Sequence, residues 1–387
     1  MNSAKGFTLI ELMISIVLGL LVTAAAVQLF ITGMTSYNMQ KSGAEVQENG
    51  LFGLEVIAQS LRLANYHSIS PIINDQTVMG GLVLSSDPAD IAVPAGGSID
   101  VPGNLEGVRM AGAVVPNGLI SRGDGMTVAS GNQWTGVSNV TLSTGTAVNS
   151  DQLVIQYRAP QDMYDCEGNF VRGPRTVKKD ASFTELTDAE KAAAGTTVMD
   201  NTLDADGDVV VERYFLRPDT IANSNEPNQP LALVCDAGRY VTKDPTKLGA
   251  NGLLLDSAAL NGNISYGDAG QIIMNRVDHF HVLLGVHPGN DRSRLMYYPI
   301  NQYMNIVVPN NTDGSPGPRP RIVSVQISVL ARSMTNSKNK LLDPSGNFTM
   351  LDQTVKLKSV SNTDSNRYVR QVYAATIAVR NGLGESL

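Results

Sequence analysis

Hydrophobic positions are spread unevenly along this chain. From Leu12 to Gln40, 29 consecutive residues include no Asp, Glu, Lys or Arg, and Leu12 to Val27 is almost wholly apolar. A helix needs about 20 mostly apolar residues to cross a bilayer, so this segment is long enough. Over 36–66 the pattern changes. Ala44, Leu51, Leu54, Ala58 and Leu61 recur at three- and four-residue steps with Val46 and Ile57 beside them, while Lys41, Glu45, Glu48, Glu55 and Arg62 fall opposite. That spacing predicts an amphipathic helix. No proline precedes Pro71, so one helix can run from Phe7 to Tyr66, about 90 Å at 1.5 Å per residue. Its first half needs lipid or other helices around it, and its second half needs a sheet to cover the apolar face. Gly19, Gly33, Gly43, Gly50 and Gly53 each weaken it by up to about 1 kcal/mol relative to Ala and permit bending.

Beyond Ser68 the hydrophobic period shortens to two. Runs at Gly81 to Leu84, Gly107 to Val115, Asn139 to Leu142, Gln152 to Arg158, Val209 to Arg217, Leu231 to Val241, Gln271 to Gly285, Met304 to Val308, Arg321 to Ala331 and Val369 to Val379 predict strands between Gly, Pro, Asn and Asp. In 322–330, Val323, Val325, Ile327 and Val329 share one face and Ser324, Gln326 and Ser328 the other, as in a half-buried antiparallel strand. Thr187 to Glu190 fits a capping box, with Gly195 as the stop of a short helix. Residues 223–230 and 310–320 read as loops. The expected class is α+β, a long N-terminal helix packed on an antiparallel β-sheet head with large loop insertions.

Composition narrows the function. With 29 Lys and Arg against 36 Asp and Glu, the net charge is -7, and no stretch offers the concentrated basic footprint that phosphate binding needs, so nucleic acid is not an expected partner. Charged residues are only 17% of the chain, below the roughly 25% of an average soluble domain. Motifs for a nucleophile elbow, a phosphate loop, a dinucleotide fold and a zinc protease are all missing from the sequence, and no enzyme is expected.

The N-terminus carries the most specific signal. A secretory signal peptide would use Lys5 as its basic region and Ala24-Ala25-Ala26 as its cleavage site. Glu11 does not fit that reading: a carboxylate among apolar residues costs about 2 to 3 kcal/mol on insertion scales and marks a function and a partner. Lys5-Gly6-Phe7-Thr8-Leu9-Ile10-Glu11-Leu12-Met13 resembles the processing site of type IV prepilins and of the pseudopilins of type II secretion. The resemblance implies cleavage after Gly6 by prepilin peptidase, N-methylation of Phe7, and pairing of Glu11 with the N-terminal amine of a neighbouring subunit. The head is similar to PilW-type minor pilins at Asn49-Gly50 and Leu61 to Tyr66, Ser150 to Tyr157, Leu233-Val234-Cys235, Arg321 to Leu330 and Arg370 to Arg380. It departs from them at Leu51 and at His67-Ser68, where the family often has Arg and Gly-Cys. The organisation implied is a leader over 1–6, a membrane and filament-core helix over 7–34, an amphipathic helix over 35–66 and a periplasmic head over 67–387.

In that oxidising compartment the only two cysteines, Cys166 and Cys235, most simply form one disulfide, worth roughly 4 kcal/mol in the loop-entropy model. Asp204, Asp206 and Asp208, with Asp200 and Glu212 nearby, concentrate carboxylates as Ca²⁺ does. Aligning Gly207 with an EF-hand glycine, however, puts Thr202 first and Arg213 at the closing acid. The competing reading is an Asp-Gly hairpin turn into Val209-Val210-Val211. His279 and His281 lie at strand spacing with His287 nearby, but no third zinc ligand is in obvious register. No cofactor is expected, calcium being the one candidate.

The expectation is a minor pilin that helps prime type IV pilus assembly and sits at or near the tip. It would be anchored in the inner membrane first and carried on the extracellular pilus afterwards. Expected partners are prepilin peptidase, other minor pilins, the major pilin and a large tip adhesin. A type II secretion pseudopilin, or an exported binding protein with an ordinary signal peptide, are the alternatives.

Overall fold

The computed structural model describes residues 8–68, 70–86, 103–110, 113–178, 202–205, 207–221, 226, 228–240, 248–249, 252–254, 266–288, 294–312, 314–339, 342–343, 345–358 and 367–382. Helix α1 spans Leu9–Leu63, 55 residues. It starts at Thr8, whose hydroxyl accepts from the Glu11 N–H while the Glu11 carboxylate accepts from the Thr8 N–H. It stops three residues short of the expected Tyr66 because Asn65 takes a left-handed conformation, φ 65°. There the Asn65 amide donates to the Ser70 and Asn381 carbonyls and accepts from the Gly81 N–H. The Asn381 amide in turn donates to the carbonyls of Arg62 and Ala64, both at 3.1 Å, closing a helix end that would otherwise expose acceptors.

Two four-stranded antiparallel sheets form the head. The first uses β1 (Leu153–Arg158), β2 (Val209–Pro218), β3 (Leu231–Tyr240) and β4 (Gln271–Asn275) in the order β4-β3-β2-β1. The second uses β5 (Val277–Val286), β6 (Met296–Pro299), β7 (Ile322–Asn336) and β8 (Tyr368–Ala378) in the order β6-β5-β7-β8. Among the smaller sheets, strands over 140–142, 348–350 and 353–357 make one of three strands, and strands over 108–110, 113–114, 248–249 and 252–254 make another of four. The class is α+β, and one core runs through Val46, Ile57 and Leu61 of α1, Leu153 and Tyr214 of the first sheet, and Val325 and Ile377 of the second.

Several sequence expectations are corrected. The run 271–285 is two strands, because Arg276 adopts φ 54° and sends its two halves into different sheets. Met304 to Val308 is no strand: Met304 ends helix α2 (Ile300–Met304), and the Asn305 and Ile306 N–H groups bond back to it. Over 81–84 only Leu82 forms an isolated bridge, to Ile155, since the Asn104 side chain takes the Leu84 and Ser85 N–H groups. Residues 107–115 hold two short strands, Val108–Met110 and Ala113–Val114. The strands on either side of residue 206 are not hairpin partners. Thr202–Ala205 pairs with Arg175–Lys178, whereas β2 pairs with β1 and β3; Gly207 is needed where a Cβ would overlap the Ala159 carbonyl. The helix expected over 187–195 lies outside the described residues.

The buried face of α1 is rotated from the expected one. Ser42, Val46, Gly50, Gly53, Leu54, Ile57, Ala58, Ser60 and Leu61 are covered, while Ala44 and Leu51 face outward. Glycine accounts for the shift. A Cβ on Gly50 would overlap the Tyr373 ring of β8, and one on Gly53 the Met274 side chain of β4. Replacing Gly50 by Leu should therefore cost about 1 to 3 kcal/mol by overpacking, read as a lowered melting temperature of the detergent-solubilised chain. Leu51→Ala, on the open face, should stay within about 0.5 kcal/mol.

Candidate assembly site

The chemistry of α1 changes along its length. Every residue from Thr8 to Met34 is exposed, including Leu9, Leu20, Leu21, Val22, Leu29 and Phe30. This half is long and apolar enough to cross a membrane. Its few hydroxyls are satisfied inside the helix: Ser15, Thr23, Thr32 and Thr35 donate to carbonyls four residues back at 2.7 to 2.9 Å, so these groups need no water. At its head end, Glu11 Oε2 accepts from both the N–H and the hydroxyl of Thr8 at 3.0 Å. Gly6 and Phe7, the expected processing pair, lie outside the described residues.

Polar bonds fix the upper half of α1 to the head as it leaves the apolar stretch. Ser42 donates to the Thr335 carbonyl at 3.0 Å. Glu45 accepts from the Thr335 N–H at 3.0 Å and its hydroxyl at 2.8 Å. Asn49 donates to the Asn275 carbonyl at 2.5 Å and accepts from its N–H at 3.2 Å. Five bonds thus set the height of the helix against β4 and β7. Periodicity alone could not find them, since Glu45 and Asn49 look like ordinary solvent-facing positions.

Cys166 and Cys235 form a disulfide, with their Cα atoms 6.2 Å apart. It is tied to the helix through buried Glu212. That carboxylate accepts from the Tyr157 hydroxyl at 3.0 Å and the Cys166 N–H at 3.1 Å, and the Tyr214 hydroxyl bridges it to Ser60 of α1 at 2.9 Å on each side. Burial pushes the Glu212 carboxyl up and drives both tyrosines well above the usual phenol range. On the other side of the bridge, carboxylate oxygens of Glu167, Asp236 and Asp268 lie within 4.8 Å of one another. Asp236 is paired with buried Arg213, and burial followed by the neighbouring aspartates raises Glu167 to about 8. The sequence reading missed this cluster because only the disulfide brings 167 beside 236.

The calcium candidates are not brought into one described cluster. Asp208 is buried and accepts from Arg175 Nη1 at 3.2 Å and the Arg172 N–H at 3.3 Å. Asp204 is described as backbone opposite Thr176, and Asp206 lies outside the described residues. The two strand histidines are satisfied by protein. His279 Nδ1 sits 3.1 Å from Ser138 and 3.0 Å from Ser150, and its Nε2 is 2.9 Å from the Gln353 amide. Burial, then the charge on His281, holds it well below the usual imidazole range. His281 lies between Asp151 at 2.9 Å and Asp352 at 2.8 Å. Both of its ring nitrogens face carboxylates, as an imidazolium requires; burial opposes the charge, but the two carboxylates prevail and raise it to about 9.

Two family models match the chain. Residues 1–27 match the prokaryotic N-terminal methylation motif, and residues 240–381 match type IV pilus-assembly protein W. The chain resembles a PilW-type prepilin. The PilW match runs from the last residue of β3 through β8 to Asn381, so it contains the helix-bound sheet and the residue that caps α1. A type IV-like pilin from Thermus thermophilus aligns over 62% of this chain and 82% of its own at 12% identity, with a TM-score of 0.20, too low to carry a fold assignment. No curated protein gives a significant match.

Because the folded His281 is raised above its ordinary 6.5, its contribution is complete below pH 6.5 and is lost as pH rises through about 9. That loss amounts to about 3 kcal/mol. His281→Gln should flatten the fall in unfolding free energy between pH 6.5 and 9 relative to the parent chain; an unchanged slope would show that other groups control it. Cys166→Ala with Cys235→Ala should lower stability by up to about 4 kcal/mol in urea unfolding.

Proposed function

We propose that the chain is a minor pilin that helps prime assembly of a type IV pilus and sits at or near its tip, as a structural and interaction protein rather than an enzyme. The observation that carries this reading is the uncovered half of α1. A helix gripped by its own head from Ser42 upward and exposed from Thr8 to Met34 requires lipid first and other helices later. Assembly then consists of extracting α1 from the inner membrane and packing it sideways against neighbouring helices. Glu11 sets the register in this scheme. Its Oε2 is occupied by Thr8, which leaves Oε1 for the N-terminal amine of an adjacent subunit, a pairing that removes two unsolvated charges together.

The head supports a place near the tip. About 320 residues imply a radius of gyration near 20 Å, against roughly 13 Å for a head of about 110 residues, so repeated stacking along a thin filament would be crowded. The disulfide suits a periplasmic head that is later extracellular. Prepilin peptidase would act at Gly6, and the other pilins, with a tip adhesin, would be the assembled partners. A pseudopilin of type II secretion would share every step up to extraction, and neighbouring reading frames for a tip adhesin separate the two.

Mass spectrometry of the mature chain should find N-methyl-Phe7 as its first residue; a start at Val27 or Met1 would overturn the reading. Glu11→Ala should leave that processing intact and reduce the subunit in sheared filaments at least tenfold. Parental levels would remove the register role of Glu11.

A further inference from the structure

Where α1 meets the head, a cavity of about 410 Å³ opens to solvent between the helix and the end of β7. It is lined by Glu45, Glu48, Asn49, Phe52, Arg332 and Met334. Two of its walls are apolar side chains in the open: Phe52 is 69% exposed and Met334 49%. The third feature is Arg332, whose side chain is wholly buried. Its Nη2 pairs with Glu226 and its guanidinium lies 4.9 Å from the Tyr368 ring centroid, yet Nε and Nη1 have no hydrogen-bond acceptor among the described residues. Buried donors left unpaired are costly, and Arg332 is among the side chains that line the cavity.

The surrounding charges decide what kind of occupant fits. Arg276, Arg332 and Arg370 are matched by Asp219, Glu226 and Asp278, so the Arg332 charge is already balanced. The cavity is also faced by the Glu45 and Glu48 carboxylates, which repel a phosphate or an anionic lipid headgroup. Glu45 is already held by Thr335 and lies 4.0 Å from Lys41, whereas Glu48 has no ion pair among the described residues. The chemistry that fits these walls is an apolar side chain against Phe52 and Met334 and a Lys or Arg beside Glu48.

We infer that this cavity is a docking site for a peptide segment of a neighbouring prepilin-type subunit. The inference rests on the assembly reading above and deepens it by naming the contact made at the base of the head. A neighbour packed along the exposed half of α1 stands beside this cavity, because the cavity begins at Glu45, just above the last exposed turns of the helix.

The test uses the full chain expressed with its pilus system. A photo-crosslinking benzoylphenylalanine placed at Met334 should yield an adduct that mass spectrometry identifies as another chain bearing an N-terminal methylation motif; an adduct with lipid alone overturns the inference. Phe52→Glu and Met334→Glu alter exposed side chains and should leave the melting temperature near that of the parent, while lowering the subunit in sheared filaments at least tenfold. Val307→Glu, at a position 94% exposed elsewhere on the head, should have no effect on incorporation. Undiminished incorporation of both cavity variants overturns the docking site while the assembly reading stands. Absence of the parent chain itself from filaments overturns both.

Discussion

Gly50 and Gly53 let Tyr373 and Met274 rest against the backbone of α1, and the direction of everything below that contact follows from it. A larger side chain at either position would lift the helix off β8 or β4 and break the hydrogen bonds that Ser42, Glu45 and Asn49 make with Thr335 and Asn275. With the contact in place, a rigid helix leaves the head at one height and one rotation. The apolar half then presents itself in a fixed orientation without any support of its own. Packing through small residues suits this task, because it secures position by shape and leaves the long apolar side chains of the lower half free for other surroundings.

The head is held by buried charge as well as by its core. Arg276 sits between the two sheets and pairs with Asp219 and Glu226; Arg332 shares Glu226, and Arg370 pairs with Asp278. For Asp278 burial works against the charge, but Arg370 and Arg332 outweigh it and hold the carboxyl below its ordinary range. Such networks are seldom a net gain over apolar packing, while the loss of one member leaves an uncompensated charge. Here the network lies where β4 gives way to β5 at Arg276, so it fixes the angle at which the chain passes from the disulfide-bearing sheet to the helix-bound one.

Much of this was legible in the sequence, for identifiable reasons. The charge-free stretch is local and gives the helix directly, whereas the Thr8 to Glu11 cap, equally local in its spacing, was passed over in favour of a start at Phe7. Strands such as Val209 to Arg217 and Arg321 to Ala331 show their period because their pairing partners impose nothing unusual on them. Failures came where a distant group intervened. The face of α1 was misjudged because the reading weighted Ala44 and Leu51 as apolar and the glycines as weak points; only the position of Tyr373 shows that Gly50 is an interior residue. The break at Arg276 was hidden within a continuous β-rich run, since its left-handed backbone is held by tertiary ion pairs. Glu212 and the Glu167 cluster depend on a disulfide across 69 positions, and no local pattern reports them.

Asn381 closes the last turn of α1, although it lies 316 positions beyond Asn65, which it also contacts. Synthesis and export proceed in the opposite sense to this dependence. If the apolar half of the helix enters the membrane as proposed, it does so while most of the head has yet to emerge, and the carbonyls of the last turn stay open until Asn381 has followed. The helix is therefore anchored at its foot long before it is finished at its top. In the proposed assembly, such a subunit would be stiff enough to transmit a pull only once Asn381 has reached the helix end, which would couple readiness for extraction to folding of the head.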